Sequence, residues 1–275
     1  MAKLKRILSL GAGVQSTALL CMSCLGEVEK LDVAVFADTG WEPAEVYKHL
    51  EWLEVWSAEH GVPVVRVEAG NVREDALVSQ VRGKVTDGVR WASLPYFTAN
   101  ADGTRGQIRR QCTAEYKIQP VERWQRQYLG LAKGQKSKSP LCEQWRGISA
   151  DEWQRAKPSR VKWYKTRHPL LEKRITRLGC LDWMRNHDLP EPPRSSCVGC
   201  PFHSDQEWRR LRNESPEDFA DAVEFDKAIR KCGGMRGDVF LHSSLKPLGK
   251  IDFDNDVDRG QGLLWQDECE GMCGV

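Results

Sequence analysis

Ser9-Leu10-Gly11-Ala12-Gly13-Val14-Gln15-Ser16-Thr17 stands between the apolar residues Ile7, Leu8 and Leu10 and a second apolar stretch, Ala18, Leu19, Leu20 and Met22. The first stretch reads as a short buried strand and the second as a helix, so the segment opened by Ser9 is a strand-to-helix turn. At such a turn the first amides of the helix lack partners of their own, and the helix dipole adds partial positive charge. A phosphate group suits that position. Gly11 and Gly13 let the backbone approach an anion closely, Gln15 sits at the helix start, and the hydroxyls of Ser16 and Thr17 are candidate further donors. A Gly-x-Gly turn is also found as a tight turn with no ligand, and on this segment alone the two readings stand even.

A second segment separates them. Leu31 to Ala37 is an apolar strand ending in Asp38-Thr39-Gly40, with a helix starting near Pro43. Two strands thus end in polar, glycine-containing turns, and in an open parallel sheet both turns lie at the carboxyl edge, where ligands bind. Strands near residues 5–10, 31–37, 62–68 and 141–148 alternate with helices near 16–25, 43–60 and 113–129, the rhythm of a parallel α/β sheet. Residues 85–106, rich in Gly, Asn and Asp, read as a long loop or small insertion placed to cover a ligand. After Ala150 the pattern becomes helical, near 176–187, 204–213 and 216–232, followed by a polar tail. The expected organisation is a nucleotide-binding domain over 1–150 and a mainly helical, cysteine-bearing subdomain over 151–275.

These segments resemble the adenine nucleotide alpha-hydrolase, or PP-loop, superfamily, and within it the phosphoadenylylsulfate (PAPS) reductase-like branch. Gly11 to Thr17 falls on the family's Ser-Gly-Gly-Lys-Asp-Ser-Thr loop, and Asp38, Thr39 and Gly40, with Glu45 beyond, on its Asp-Thr-Gly strand end. Gln111-Cys112-Thr113-Ala114-Glu115-Tyr116-Lys117-Ile118-Gln119-Pro120 is similar to its Cys-Thr-x-x-x-Lys-x-x-Pro segment. Gly147-Ile148-Ser149-Ala150-Asp151-Glu152 with Arg155 is similar to its Gly-x-Arg-x-x-Glu-Ser-x-x-Arg loop, with Ser149 in place of an arginine and Trp153 in place of a serine. The resemblance implies a Rossmann-like adenine nucleotide alpha-hydrolase fold, with ATP or PAPS on Ser9, Gly11, Gly13, Gln15, Ser16, Thr17, Asp38, Thr39 and Gly40. It also implies that Lys117 and Arg155 steady phosphates. The chain departs from the family where Gly11-Ala12-Gly13-Val14-Gln15 replaces Ser-Gly-Gly-Lys-Asp. The loop therefore has neither a lysine for the phosphates nor a carboxylate to position Mg²⁺, although backbone amides still hold phosphate.

The ten cysteines sit in a chain with 40% hydrophobic residues, 29% charged residues and a net charge of +2. No apolar run approaches membrane-spanning length, and Met-Ala-Lys-Leu-Lys-Arg leads into a strand without a secretory segment, so the expectation is a cytoplasmic protein with no membrane partner. Reduced cysteines in that compartment point to metal or redox chemistry rather than a disulfide framework. Cys197-Val198-Gly199-Cys200 follows Pro192-Pro193 in a loop, where two thiolates can share a metal or form a redox pair. The family resemblance implies a [4Fe-4S] cluster, similar to DNA-phosphorothioation sulfur-transfer enzymes, with Cys112, beside Arg109 and Arg110, as a third ligand. For the fourth, Cys269 and Cys273 stand ahead of Cys180 and His203, and Cys273 is taken. Glu268-Cys269-Glu270-Gly271 is a partial match to the C-terminal Glu-Cys-Gly of PAPS reductases, which makes Cys269 the candidate nucleophile.

Cys21 and Cys24 share the spacing of a ligand pair, but they fall on one face of the helix after the loop and read as core residues. Trp52 and Trp56 likewise read as packing residues, while Trp153, Trp163 and Trp208 are candidates for either packing or base stacking. The six histidines form no zinc or Ser/His/Asp pattern. Nine Lys/Arg against Glu172 between Arg155 and Arg177, and seven acids against Arg259 between Ile251 and Glu270, suggest an anionic partner for the middle segment or simply a solvated face. DNA or tRNA is the candidate acceptor, and a homodimer the candidate assembly. The resulting expectation is a sulfurtransferase that uses an iron-sulfur cluster and ATP-driven adenylylation. The alternatives are thiol-dependent reduction of PAPS to sulfite by an oxidoreductase, and a non-catalytic nucleotide- or nucleic-acid-binding module.

Overall fold

The computed structural model describes residues 4–82, 94–100, 102–231 and 237–254. In chain order the strands are β1 (Lys5–Leu10), β2 (Val33–Asp38), β3 (Val64–Glu68), β4 (Phe97–Ala99), β5 (Arg105–Gln107), β6 (Cys142–Arg146), β7 (Tyr164–Arg167) and β8 (Val239–Phe240). The helices are α1 (Val14–Cys24), α2 (Ala44–Glu59), α3 (Val72–Arg82), α4 (Gln119–Tyr128), α5 (Pro169–Glu172), α6 (Arg177–Asn186), α7 (Asp205–Glu214) and α8 (Pro216–Ala228). A π-helical turn, Thr113–Ile118, runs into α4. The described residues fall into two compact units. Of the described residues, the first takes 4–38, 45–69 and 117–195, and the second takes 39–44, those between 70 and 116, and those after 195.

The first unit is a five-stranded, all-parallel sheet in the order β3-β2-β1-β6-β7. Central parallel strands are covered on both faces and must be apolar on both. Val33, Ala34, Val35 and Phe36 in β2 are accordingly buried, as are Ile7 and Leu8 in β1. One face carries Leu8, Leu10, Ala34, Phe36 and Trp145 against α1, α2 and α6, through Leu19, Leu20, Val46, Leu50, Cys180 and Met184. The other carries Ile7, Val33, Val35, Cys142 and Tyr164 against Val121 of α4. Helices on both faces of a parallel sheet make this a doubly wound, Rossmann-like α/β fold. Successive strands run outward from β1 through β3, then return to the other side of β1 at β6, which places the topological switch point at the carboxyl ends of β1 and β6.

The expected strands and helices of this sheet are present, with α4 preceded by a π-helical turn. The expectation of a break after residue 150 meets β7, which pairs in parallel with β6 and extends the same sheet past that point. Tyr-Lys-Thr-Arg carries little hydrophobic signal because β7 is an edge strand, and charge on an edge blocks further pairing.

The second unit contains a small antiparallel sheet, β5-β4-β8, and the helices α3, α7 and α8, so the described C-terminal part is mainly helical. Its core includes Trp208, Leu211, Phe225 and Ile229. The buried carboxylate of Asp226 accepts the backbone amides of Leu241 and Leu248 and pairs with Arg230, which ties α8 to the segment after β8. The described end of residues 85–106 forms β4 and β5, so it is a small paired insertion rather than a bare loop. Residues 85–93 lie outside the described residues. Helix α3 has a weak apolar period, and its clearest sequence signal is Asn71, whose side chain accepts the amides of Arg73 and Glu74 as an N-cap does. Among the described residues no helix is long and apolar enough to cross a membrane.

Candidate functional site

In the first unit the turn between β1 and α1 is built from backbone. Gly13 is the N-cap of α1 with extended dihedrals, no side chain caps the helix, and no acidic residue lies in its first turn. The helix begins with Thr17 N–H donating to Gly13 O at 3.0 Å, so the amides of Val14, Gln15 and Ser16 have no intrahelical acceptor and are the donors that an anion can take. Ala12 is fully buried with φ +55, a left-handed conformation that a residue with a Cβ adopts at a cost of about 1 kcal/mol. A left-handed residue between extended or helical neighbours folds successive amides into an anion-binding concavity.

The side chains around this turn are mostly committed. Ser16 Oγ accepts the Gly11 amide at 3.2 Å and donates to Gly13 O at 3.2 Å, so it braces the loop. Thr17 Oγ1 is 3.2 Å from His49 Nε2, and both residues are buried. Ser16 Oγ and Thr17 Oγ1 thus each have a partner within the protein. Burial pushes the His49 imidazole down to about 4, so it is neutral at physiological pH. Val14, the first residue of α1, is buried and apolar.

Two further loops of the same unit meet this turn. A Cβ built on Gly147 would lie 2.7 Å from Ser16 N and 2.9 Å from Gln15 C, so residue 147 rests against the backbone at the start of α1 and only glycine fits. Two positions on, the buried Ser149 Oγ faces Gln15 Nε2 at 3.5 Å. Gln15 and Ser149, far apart in the chain, are thus spatial neighbours. Ser195 packs on Gly13, its Cβ 3.6 Å from where a Gly13 Cβ would stand. Ser9 lies at the carboxyl end of β1, half-buried, and Asp38 at that of β2 accepts a hydrogen bond from Tyr47 at 2.8 Å. Lys117 is half-buried just before α4. Arg155 pairs with Glu152 at 2.7 Å on a short helical turn, Ala150–Arg155, that follows Ser149.

In the second unit the Cys197–Cys200 segment is a tight turn closed by Cys200 N–H donating to Cys197 O at 3.0 Å, with both thiols half-buried. Cys197 Sγ is 3.2 Å from Thr39 Oγ1 and 3.6 Å from Glu42 Oε1, and Thr39 donates to the same carboxylate at 3.2 Å. Val198 N–H donates to Trp41 O at 2.8 Å, and Gly199 lies flat on the Trp41 indole, where a Cβ would come within 2.0 Å of the ring. His203 Nε2 donates to Cys197 O at 2.9 Å, which turns Nδ1 toward Glu207 at 3.9 Å, and Arg210 grips that glutamate. Gly40, with φ +71, keeps its backbone open to Asn71, which donates to Gly40 O.

Cys112 is half-buried, and the neighbouring Arg110 lies over the Phe202 ring. Among the described residues no group of three or more His, Cys, Asp or Glu side chains converges as a metal site would require. The two-thiol turn by itself does not complete a cluster site, and Cys269 and Cys273 lie outside the described residues. The other cysteines have structural places. Cys21, Cys142 and Cys180 are buried, with burial pushing the last two thiols up to about 12, and burial raises Cys24 to about 11. Trp163 and Trp208 are core residues, and Trp153 is exposed.

Sequence reasoning missed Glu42, His49 and Ser195. Glu42 stood beside the Asp-Thr-Gly turn, yet nothing local says that its carboxylate meets a thiol 155 residues later.

The first unit therefore has a Rossmann-like α/β architecture with an amide-lined turn at its switch point. No protein-family model and no curated protein matches the sequence. Among solved structures the chain is similar to phosphoadenylyl-sulfate (PAPS) reductase from Candida auris in a phosphate complex, at 12% identity and a TM-score of 0.42, over 70% of this chain and 76% of that one.

Proposed function

We propose that the chain is an adenine-nucleotide-binding enzyme of sulfur chemistry, with the nucleotide phosphates on the turn from Gly11 to Thr17. The observation that carries the reading is the uncapped start of α1, with Ala12 left-handed and Gly147 against its backbone. In the preferred version ATP activates an acceptor oxygen by adenylylation, and sulfur displaces the activated group. The α1 amides take up phosphate charge as it develops, and Lys117 and Arg155 are assigned to steady the phosphates. DNA or tRNA is the proposed acceptor. A [4Fe-4S] cluster on Cys112, Cys197, Cys200 and Cys273 is part of this proposal and, when bound, supplies sulfide or electrons. The described residues do not complete its ligand set, so no step is derived through it.

A second reading, reduction of PAPS to sulfite with Cys269 as the nucleophile, is favoured by one feature of the loop. Val14 is buried and Gln15 faces Ser149, so residues 11–17 present neither a cation nor a carboxylate for Mg²⁺. Such a loop suits a nucleotide that is bound without being cleaved at its phosphates.

The test is turnover by anaerobically purified protein, with iron and acid-labile sulfide measured on the same sample. Release of AMP and pyrophosphate from ATP supports the transferase, and sulfite from PAPS supports the reductase. Nucleotide binding without either product leaves a binding module. About four irons per chain, lost in Cys197→Ser and Cys112→Ser, would establish the cluster, and iron-free active protein would remove it.

A further inference from the structure

On the sheet face opposite α1, the carboxyl ends of β6 and β7 hold a set of hydrogen-bond donors that the phosphate turn does not use. Side chains two apart on a strand share a face, so Gln144 and Arg146 follow Cys142, and Thr166 and His168 follow Tyr164, onto the α4 side. Gln144 is in register with Thr166, and Arg146 and His168 stand one step beyond the last register pair, Trp145 and Arg167. The fully buried Gln125 of α4 lies beneath them.

Arg146 fixes the direction of the hydrogen bonds, because a guanidinium only donates. Its Nη2 donates to Gln144 Oε1 at 3.2 Å, so Gln144 Nε2 donates in turn to Gln125 Oε1 at 3.3 Å. The relay ends at Gln125 Nε2, a buried donor with no partner, and Arg146 Nε, Thr166 Oγ1 and His168 Nε2 are likewise buried atoms without partners. Among the described residues no carboxylate pairs with Arg146, and the nearby Glu122 accepts the Tyr164 hydroxyl instead. The set therefore has two unpartnered donors, Gln125 Nε2 and Arg146 Nε, two unpartnered groups able to donate, Thr166 Oγ1 and His168 Nε2, and a positive charge with no carboxylate partner among the described residues. Arg146, Thr166 and His168 are each partly exposed as residues, although these polar atoms themselves are covered, so a ligand reaches them by displacing the side chains above. Water would satisfy one or two donors but not the charge.

We propose that Arg146, Thr166 and His168 form an oxyanion subsite that takes a phosphate or sulfate group. The guanidinium supplies the charge, and the Thr166 hydroxyl and His168 Nε2–H complete the tetrahedral contact. Burial, with a further contribution from the Arg146 cation, holds His168 below its ordinary range while Glu172 acts the other way. A bound anion would reverse that balance. The subsite does not depend on the reading of the phosphate turn, which lies against α1 on the other face.

The test is titration of the full chain with sodium sulfate and sodium phosphate at low ionic strength, followed by the ring resonances of His168. Saturable shifts are expected, with affinity about tenfold weaker in Arg146→Gln and a few-fold weaker in Thr166→Val. Gln15→Glu, which sets a carboxylate at the phosphate turn, should leave the His168 response within about twofold. Calorimetric sulfate binding in His168→Gln, weakened but present, checks the site without that probe. If His168 does not respond, or responds equally in Arg146→Gln, the proposal is overturned. Loss of the response in Gln15→Glu would overturn it too, by assigning all binding to the turn. A response to ATP or PAPS at lower concentration than to the inorganic ions identifies a nucleotide as the source of the group. A response to the inorganic ions alone identifies free sulfate or phosphate.

Discussion

The turn over residues 11–17 and the cysteine turn present polar groups at a loop in opposite ways. The turn over residues 11–17 does so with contiguous backbone, and its side chains are spent on bracing it: Ser16 on Gly11 and Gly13, Thr17 on His49. The cysteine turn is made of side chains drawn from distant segments, with Thr39 and Glu42 against Cys197 and Trp41 beneath Gly199. A turn made of backbone amides does not depend on which side chains stand at Val14 and Gln15, because the amides stay in place. A side-chain site has no such reserve.

The comparison breaks most directly at Gly147. In Gly147→Val the new side chain would collide with the backbone at Ser16 and Gln15, and backbone cannot move aside as a side chain can. Nucleotide binding should be lost entirely, with destabilisation of about 3 kcal/mol, read by calorimetry and thermal denaturation. The matching change in the cysteine turn is Gly199→Ala. Trp41 is held by Asp221 through Nε1 and by the Phe225 ring 4.5 Å away, so it has little room to retreat. A loss of about 2 kcal/mol is expected. The nucleotide affinity of the folded fraction should stay unchanged, and an equal fall in affinity would show that the two turns are coupled.

A third test uses pH. His49 is neutral and buried in the folded state with its pKa near 4, against 6.5 in the unfolded chain. The unfolded state therefore binds more protons between these values, so stability is fully present above pH 6.5 and falls as pH drops toward 4. The loss is on the order of 2–3 kcal/mol. His49→Gln should flatten that part of the stability–pH curve in urea denaturation, and an unchanged curve would show that His49 is not the group responsible.

The smallest expected effect is the sharpest on the backbone reading. Ser16→Ala removes a brace but no anion ligand, so stability should fall by about 1 kcal/mol while nucleotide affinity changes less than about threefold. A loss of affinity near a hundredfold would instead make Ser16 a direct ligand.

Much of the sheet was legible because its signals are local. Buried strands such as Val33 to Ala37 and the glycine turn after β1 show themselves within a dozen residues. Strand β7 was not, since Tyr-Lys-Thr-Arg reads as strand only once β6 is beside it. The glycine turn after β1 was recognisable from Gly11 and Gly13, whereas the partners of its hydroxyls were not, because partners such as His49 are chosen in three dimensions.

The amino-acid sequence by itself determined the parallel α/β class, the position of the glycine turn after β1 and the Cys-x-x-Cys loop, since periodicity and backbone propensity act over short spans. Only the tertiary structure decided that Glu42 meets Cys197, that Gln15 meets Ser149 and that Arg146 stands beside His168. Each of those pairings joins residues separated by many positions, and strand register and close packing, rather than local preference, bring them within reach.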